Sequence, residues 1–171
     1  MNIPRPLPGM VPESIKDLTS TDSNNIVRAF EMLNLVLMNN RSSNITPKRA
    51  AEELESYSLG KRLGRRGGFT VFHPHGNSSA VAMTHVTRVG SHYLELDALS
   101  RHPDVYGQHI GMAALMYTIT HSKERGIRAI GLWTPAKNVE FYEHNGFHVD
   151  TEVSEEVSSD KTFFRMERRI R

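Results

Sequence analysis

The spacing of apolar residues changes partway along the chain. Ile26, Phe30, Leu33 and Leu37 stand four, three and four residues apart, which lines one face of a helix, and Thr21 or Asp22 can cap it. After the polar loop Asn39–Asn44, Thr46-Pro47 opens a second helix as a cap followed by proline at the first helical position. Ala50, Leu54 and Tyr57 face inward along it. From Phe69 the period shortens. Phe69–Phe72, Ala80–Val86 and Tyr93–Leu99 read as strands, turned at Gly76-Asn77 and at Gly90-Ser91. Between Gly111 and Gly126 there is room for a helix of about four turns. The run Arg128–Thr134 then reads as a buried strand, Asn138–Asn145 as a short helix, and Phe147–Val153 and Thr162–Glu167 as a last strand pair joined by the polar Glu155–Lys161. Glu13–Thr19 is a candidate first strand. Residues 1–12 hold four of the eight prolines and read as an extended lead-in. Two helices, three hairpin-linked strands, helix, strand, helix and two strands predict an α+β domain with a mixed, mainly antiparallel sheet.

Composition narrows the class. A chain of 171 residues suits a single domain, 1–171, with a sizeable core. Cysteine is absent, which removes disulfides, thiolate metal sites and a cysteine nucleophile. No apolar run approaches the ~20 residues needed to span a bilayer, and the N-terminus lacks the apolar core of a secretion signal. The expectation is a cytoplasmic protein with no membrane partner. A net charge of +2 gives no argument for nucleic acid as a partner. The basic run Lys61–Gly68 reads either as a flap over an anionic ligand or as a solvated loop, and without interleaved aromatics the loop is preferred.

The candidate chemistry centres on Tyr106-Gly107-Gln108-His109-Ile110-Gly111, which leads into Met112 and a helix. A strand, a tight turn and a helix start aim unpaired amides and the positive end of a helix dipole at one point, which suits phosphate. The turn is too short for a Walker loop and lacks a Rossmann fingerprint, and many helices follow such turns for packing reasons alone. Among nine histidines, His73-Pro74-His75 is the one close pair. No third ligand is placed by sequence, so no metal is expected. Trp133 reads as core or cleft wall.

Three patterns in order change the weight of that turn. Leu96, Leu99 and Pro103 end a strand in an L-x-x-L-x-x-x-P pattern. The Gln108–Met112 loop follows, and then Asn138-Val139-Glu140-Phe141-Tyr142 with Gly146-Phe147. Over residues 91–147 the chain resembles the GCN5-related N-acetyltransferase (GNAT) family, in its small-molecule and antibiotic-acetylating branch. The resemblance implies the GNAT fold, a twisted, mainly antiparallel sheet flanked by helices in α-β-α layers. It implies acetyl-CoA as co-substrate, a small-molecule amine as acceptor, and contacts to the co-substrate from Leu99, Tyr106, Gly107, Gln108, His109, Ile110, Gly111, Met112, Asn138, Phe141 and Tyr142. A protein N-terminus or lysine as acceptor, a domain that binds acyl-CoA without turnover, and a homodimer stay open.

Acetyl transfer makes separate physical demands. The diphosphate needs backbone donors. Family members usually carry a glycine or small residue where His109 stands, and His is among the non-glycine residues better tolerated at positive φ. The thioester oxygen needs a fixed donor as it gains charge. By resemblance this is the Leu99 N–H, where a bulge splays its strand from the one ending at Thr134. The amine must lose a proton to a carboxylate. Glu95, and second Asp97, alternate onto one face of their strand, which is equally the pattern of a solvent-facing polar side. Tyr142, by resemblance, protonates the leaving thiolate, and the alternative is an aromatic packed on the sheet. Asn138 can bond the pantetheine amides.

Overall fold

The computed structural model describes residues 10–15, 66–76, 80–102, 109–150, 155–156 and 162–171. Both helices expected before residue 60 lie outside the described residues, as do Tyr106, Gly107 and Gln108. The described elements are β1 (Met10–Ile15), β2 (Arg66–Pro74), β3 (Ala82–Val89), β4 (Tyr93–Arg101), α1 (Ile110–Glu124), β5 (Ala129–Pro135), a 3-10 turn (Ala136–Asn138), α2 (Val139–His144), β6 (His148–Val149), β7 (Glu155–Glu156) and β8 (Thr162–Arg169). They form an eight-stranded sheet in the order β1-β2-β3-β4-β5-β8-β6, with β7 also paired to β8. Among the described residues only β4 and β5 pair in parallel, joined by the connection that contains α1.

Several expected boundaries move. The first strand begins at Met10 rather than Glu13, so the last three residues of the expected lead-in are sheet. Pro12 is tolerated there because β1 is the edge strand among the described residues, where a missing N–H can face outward. Arg66-Gly67-Gly68, expected in a loop, pairs with Val86–Arg88 as the start of β2. The strand expected to run to Val153 is two residues long, and Glu155-Glu156 in the expected connection pairs with Phe163 and Thr162.

One face of the sheet packs on the helices. Leu94, Leu96, Ile130, Leu132 and Met166 from the strands meet Leu115 and Ile119 of α1, Tyr142 of α2 and Phe147, all buried. A second cluster joins Phe72 and Ala82 to Ile110 and Ala114 of α1. Both helices end in the same way. After α1, Gly126 at φ 75° lets its own N–H bond Lys123 O and the Ile127 N–H bond Ser122 O. After α2, Gly146 at φ 78° does the same towards Glu143 O, and Phe147 N–H reaches Tyr142 O at 3.1 Å. This double bond is the Schellman stop, which is completed by an apolar contact between its two ends. Here that contact is Tyr142 against Phe147, with ring centroids 5.6 Å apart. The Tyr-x-x-x-Gly-Phe spacing is therefore also a helix-ending device.

Candidate functional site

A bulge in β4 sets up the site. Val86 pairs with Leu96 and His85 with Ala98, which leaves Asp97 as the extra residue. The side-chain alternation changes phase there. Before the bulge Leu94 and Leu96 face α1; after it Leu99 does, packing against both core clusters. Arg101, two residues on and on the same face, reaches α1, where its Cδ lies 3.8 Å from where a Cβ on Gly111 would be.

On its other side β4 loses its neighbour. Its pairing with β5 covers Tyr93, Glu95 and the residue between them, the last pair being Glu95 with Gly131. Beyond that pair the two parallel strands part. In an antiparallel ladder only alternate pairs exchange hydrogen bonds. The His102 N–H bonds Val81 O at 2.7 Å, so the pairs His102–Val81, Ser100–Met83 and Ala98–His85 are the bonded ones. Leu99 is out of phase with them, and its N–H turns toward the gap left by β5.

Beside this gap lies a cleft of about 520 Å³ lined by Arg101 of β4, His109–Met112 at the start of α1, Lys137, and Glu140, Phe141, His144 and Asn145 on the outer side of α2. His109 precedes α1 at φ 53°, the one described non-glycine residue at positive φ. Its carbonyl accepts the Ala113 N–H at 2.9 Å, while the amides of Ile110, Gly111 and Met112 have no partner within the helix. Met112 and Phe141 are exposed. Helix-start amides, the cations Arg101 and Lys137 and an apolar flank line one cleft, a combination that suits a diphosphate carrying a pantetheine arm.

The expected residues divide among several places. His109, Ile110, Gly111, Met112 and Phe141 line the cleft, whereas Asn138, half-buried as the N-cap of α2, and Tyr142 do not. Tyr142 sits in the core beneath, where burial pushes its hydroxyl up to about 12. Glu95 and Asp97 do share the sheet face turned away from α1, since Thr87, paired with Glu95, donates to Asp97 Oδ2 at 2.7 Å. They are held differently. His85 Nδ1 lies 3.1 Å from Asp97 Oδ2. Glu95 is gripped by Arg165 of β8, whose Nη1 donates to Oε1 and Nη2 to Oε2 at 2.8 Å. The same Nη2 donates to the Tyr93 hydroxyl at 2.5 Å. Arg165 is raised above its ordinary range, first by its bond to Glu95, and burial raises Tyr93.

Arg101, Lys137, Glu140 and His144 of the cleft, and Arg165 beside Glu95, are not singled out by any sequence motif. The α2 residues were within reach, because 140, 141, 144 and 145 form one helix face opposite Tyr142. Trp133, expected in the core or a cleft wall, is 41 % exposed on the face away from α1, with the Arg165 guanidinium 5.6 Å from its ring centre. His73 and His75 do not share a face as a strand would place them. β2 ends at Pro74, leaving His73 buried and His75 in the turn. Among the described residues no three His, Asp or Glu side chains are grouped to hold a metal, and no helix is long and apolar enough to cross a membrane.

Comparison with known proteins bears on the family and the fold. The model of the acetyltransferase (GNAT) family matches residues 37–147. No curated protein matches. Among solved structures, an aminoglycoside 6'-N-acetyltransferase complexed with coenzyme A superposes with a TM-score of 0.70 at 15 % identity, covering 94 % of this chain and 97 % of that one. Ard1 from Thermoplasma volcanium gives 0.67 at 12 % identity over 95 % and 99 % of the two chains. An acetyltransferase from Streptococcus agalactiae gives 0.64 at 16 % over 94 % and 98 %. At these identities the likeness concerns the fold.

Proposed function

The chain belongs to the acetyltransferase (GNAT) family, acetyl-CoA-dependent N-acetyltransferases, and from that premise we propose that it acetylates a small molecule carrying a primary amine. The amine attacks directly, with both substrates bound together. The observation that carries this reading is the parting of β4 and β5 beyond Glu95 and Gly131, beside the cleft at the start of α1.

Each demand of the reaction has a candidate in this chain. The amides of Ile110, Gly111 and Met112, with Arg101 and Lys137, would hold the diphosphate, and Tyr106, Gly107 and Gln108 would contribute to the same ligand. His109 adopts the left-handed conformation that a glycine would take at this position. Phe141 and Met112 would flank the pantetheine arm, and Asn138 would bond its amides. Bound acetyl-CoA supplies an activated acyl carbon. The Leu99 N–H, facing the gap, would donate to the thioester oxygen as negative charge develops there. A carboxylate of β4, Glu95 or Asp97, would take the amine proton. Tyr142 would donate from its hydroxyl to the departing sulfur.

A small acceptor is supported by the aminoglycoside enzyme among the structural neighbours and by the Asn138–Phe147 pattern. The test measures thermal stability with and without acetyl-CoA, then CoA release with kanamycin, spermidine and a peptide with a free N-terminus. Binding at 100 times Kd stabilises by about 2.7 kcal/mol, an easily read shift. Release with kanamycin or spermidine supports a small acceptor. Release with the peptide alone contradicts that part, and stabilisation without release from any amine makes the domain a binding module.

A further inference from the structure

β4 and β8 place three carboxylates on the sheet face turned away from α1. Glu95 and Glu167 both lie in register with Gly131 of β5, and Asp97 follows at the bulge. Two of them face guanidinium groups: Glu95 is forked by Arg165, and Glu167 Oε1 lies 3.9 Å from Arg169 Nε. Asp97 has only Thr87 and His85 among the described residues.

We propose that Asp97 is the carboxylate that takes the amine proton, and that Arg165 is a positioning residue which, reaching over Gly131, holds Glu95 out of that role. The proposal rests on the acetyltransferase reading above and settles which of its two carboxylates acts. Both Glu95 oxygens accept from one planar fork, so protonating either breaks a bidentate, charge-assisted pair. That pair is mostly buried, with side chains 16 % and 20 % exposed, so disrupting it leaves a poorly solvated charge behind. Arg165 gets there because residue 131 is glycine. A Cβ at that position would run into the Arg165 guanidinium and the Tyr93 hydroxyl. Trp133 supports the guanidinium from the side.

Asp97 is placed for the opposite task. As the bulge residue it stands two positions before Leu99, at the stretch of β4 that β5 has left. Bulges are a common means of re-aiming a side chain next to an active site. Both its partners touch Oδ2, which leaves Oδ1 for an amine, and the side chain keeps 28 % exposure, enough to pass a proton to solvent. In the step, a proton leaves the ammonium nitrogen for Asp97 Oδ1. The freed lone pair forms the N–C bond at the thioester carbon, the nitrogen sheds its second proton, and the C–S bond breaks with its electron pair leaving on sulfur, which takes up that proton. R–NH₃⁺ and the thioester thus give the amide, the free thiol and one proton.

The experiment compares wild type, Asp97→Asn, Glu95→Gln and Asp97→Asn/Arg165→Lys, using acetyl-CoA and whichever of kanamycin, spermidine and the free-N-terminus peptide reacts fastest. Asp97→Asn is isosteric at a half-exposed site, and calorimetry with acetyl-CoA checks that its fold is kept. At neutral pH it should lower kcat by about 10²–10⁴-fold, the usual contribution of a positioned base. The deficit should shrink as pH approaches the amine's own pKa, where solvent supplies the neutral amine. Glu95→Gln should lower kcat less than tenfold and keep the wild-type pH dependence. Arg165→Lys, which keeps the charge but opens the fork, should restore at least about tenfold to Asp97→Asn by freeing a Glu95 oxygen. A pH-sensitive loss in Glu95→Gln with none in Asp97→Asn overturns the assignment, and lack of rescue overturns the role of Arg165. A wild-type protein that binds acetyl-CoA but turns over none of the three amines overturns the acetyl-transfer reading instead.

Discussion

Replacing Tyr142 by phenylalanine separates the packing role that this residue has in the core from the proton-donating role proposed for it. The ring is buried against Phe141 and Phe147 at centroid distances of 5.0 and 5.6 Å, and phenylalanine keeps both contacts. Among the described residues the hydroxyl has no hydrogen-bond partner, so its loss should change stability by less than about 1 kcal/mol. Its chemical effect follows from burial. With its pKa pushed up to about 12, the phenol keeps its proton throughout the physiological range. That pKa lies above the range of an ordinary thiol, so complete transfer to sulfur is uphill. Hydrogen bonding to the departing thiolate is then the larger contribution, and a bond to a charged group is worth about 1.5–3 kcal/mol. Tyr142→Phe should therefore lower kcat and kcat/KM together by roughly 10- to 150-fold. Acetyl-CoA affinity by calorimetry should stay near wild type, because the interaction arises mainly as the C–S bond breaks. Steady-state kinetics with the identified amine provides the assay. Wild-type turnover in the phenylalanine variant would remove Tyr142 from the mechanism and leave it as the partner of Phe147 in ending α2.

The same burial has a consequence for stability in alkali. The folded pKa of Tyr142 lies above the ordinary value of 10, so its contribution is present below pH 10 and lost between about 10 and 12, roughly 2.7 kcal/mol in all. Denaturant melts of wild type should show this decline beyond that of Tyr142→Phe, and parallel curves would contradict the burial argument. Gly111→Asp should abolish acetyl-CoA binding with the fold intact, since a Cβ there meets only Arg101 Cδ at 3.8 Å while a carboxylate repels phosphate; unchanged affinity by calorimetry would contradict it. His109→Gly should leave stability within about 1 kcal/mol, as relief at φ 53° offsets the added freedom of the unfolded chain. It should also change acetyl-CoA affinity, and an unaltered Kd would mean that the imidazole points away from the ligand.

Much of the architecture was legible locally. Period-two runs located the sheet strands, and the two glycines that end α1 and α2 stood where left-handed residues stop helices. His109 at positive φ matches the expectation drawn from the glycine or small residue that relatives carry there. The ends of the short strands are not legible from spacing, because they depend on a partner strand: Met10–Pro12 pairs with Phe72–Pro74, and Glu155-Glu156 with Phe163 and Thr162.

The chain by itself determined the family, the strand and helix on either side of residues 103–108, and the carboxylates and tyrosine that are candidates for proton transfer, because each is a property of neighbouring residues and their spacing. Tertiary structure decided what those groups face. One extra residue at Asp97 changes the phase of β4, sending Leu99 and Arg101 to the helix side where uninterrupted alternation would place them beside Glu95. An arginine 70 residues away crosses a side-chain-free position at Gly131 to occupy Glu95. Neither can be read from spacing, since a bulge is defined by the partner strand and an ion pair across three strands exists only once the sheet has set their order.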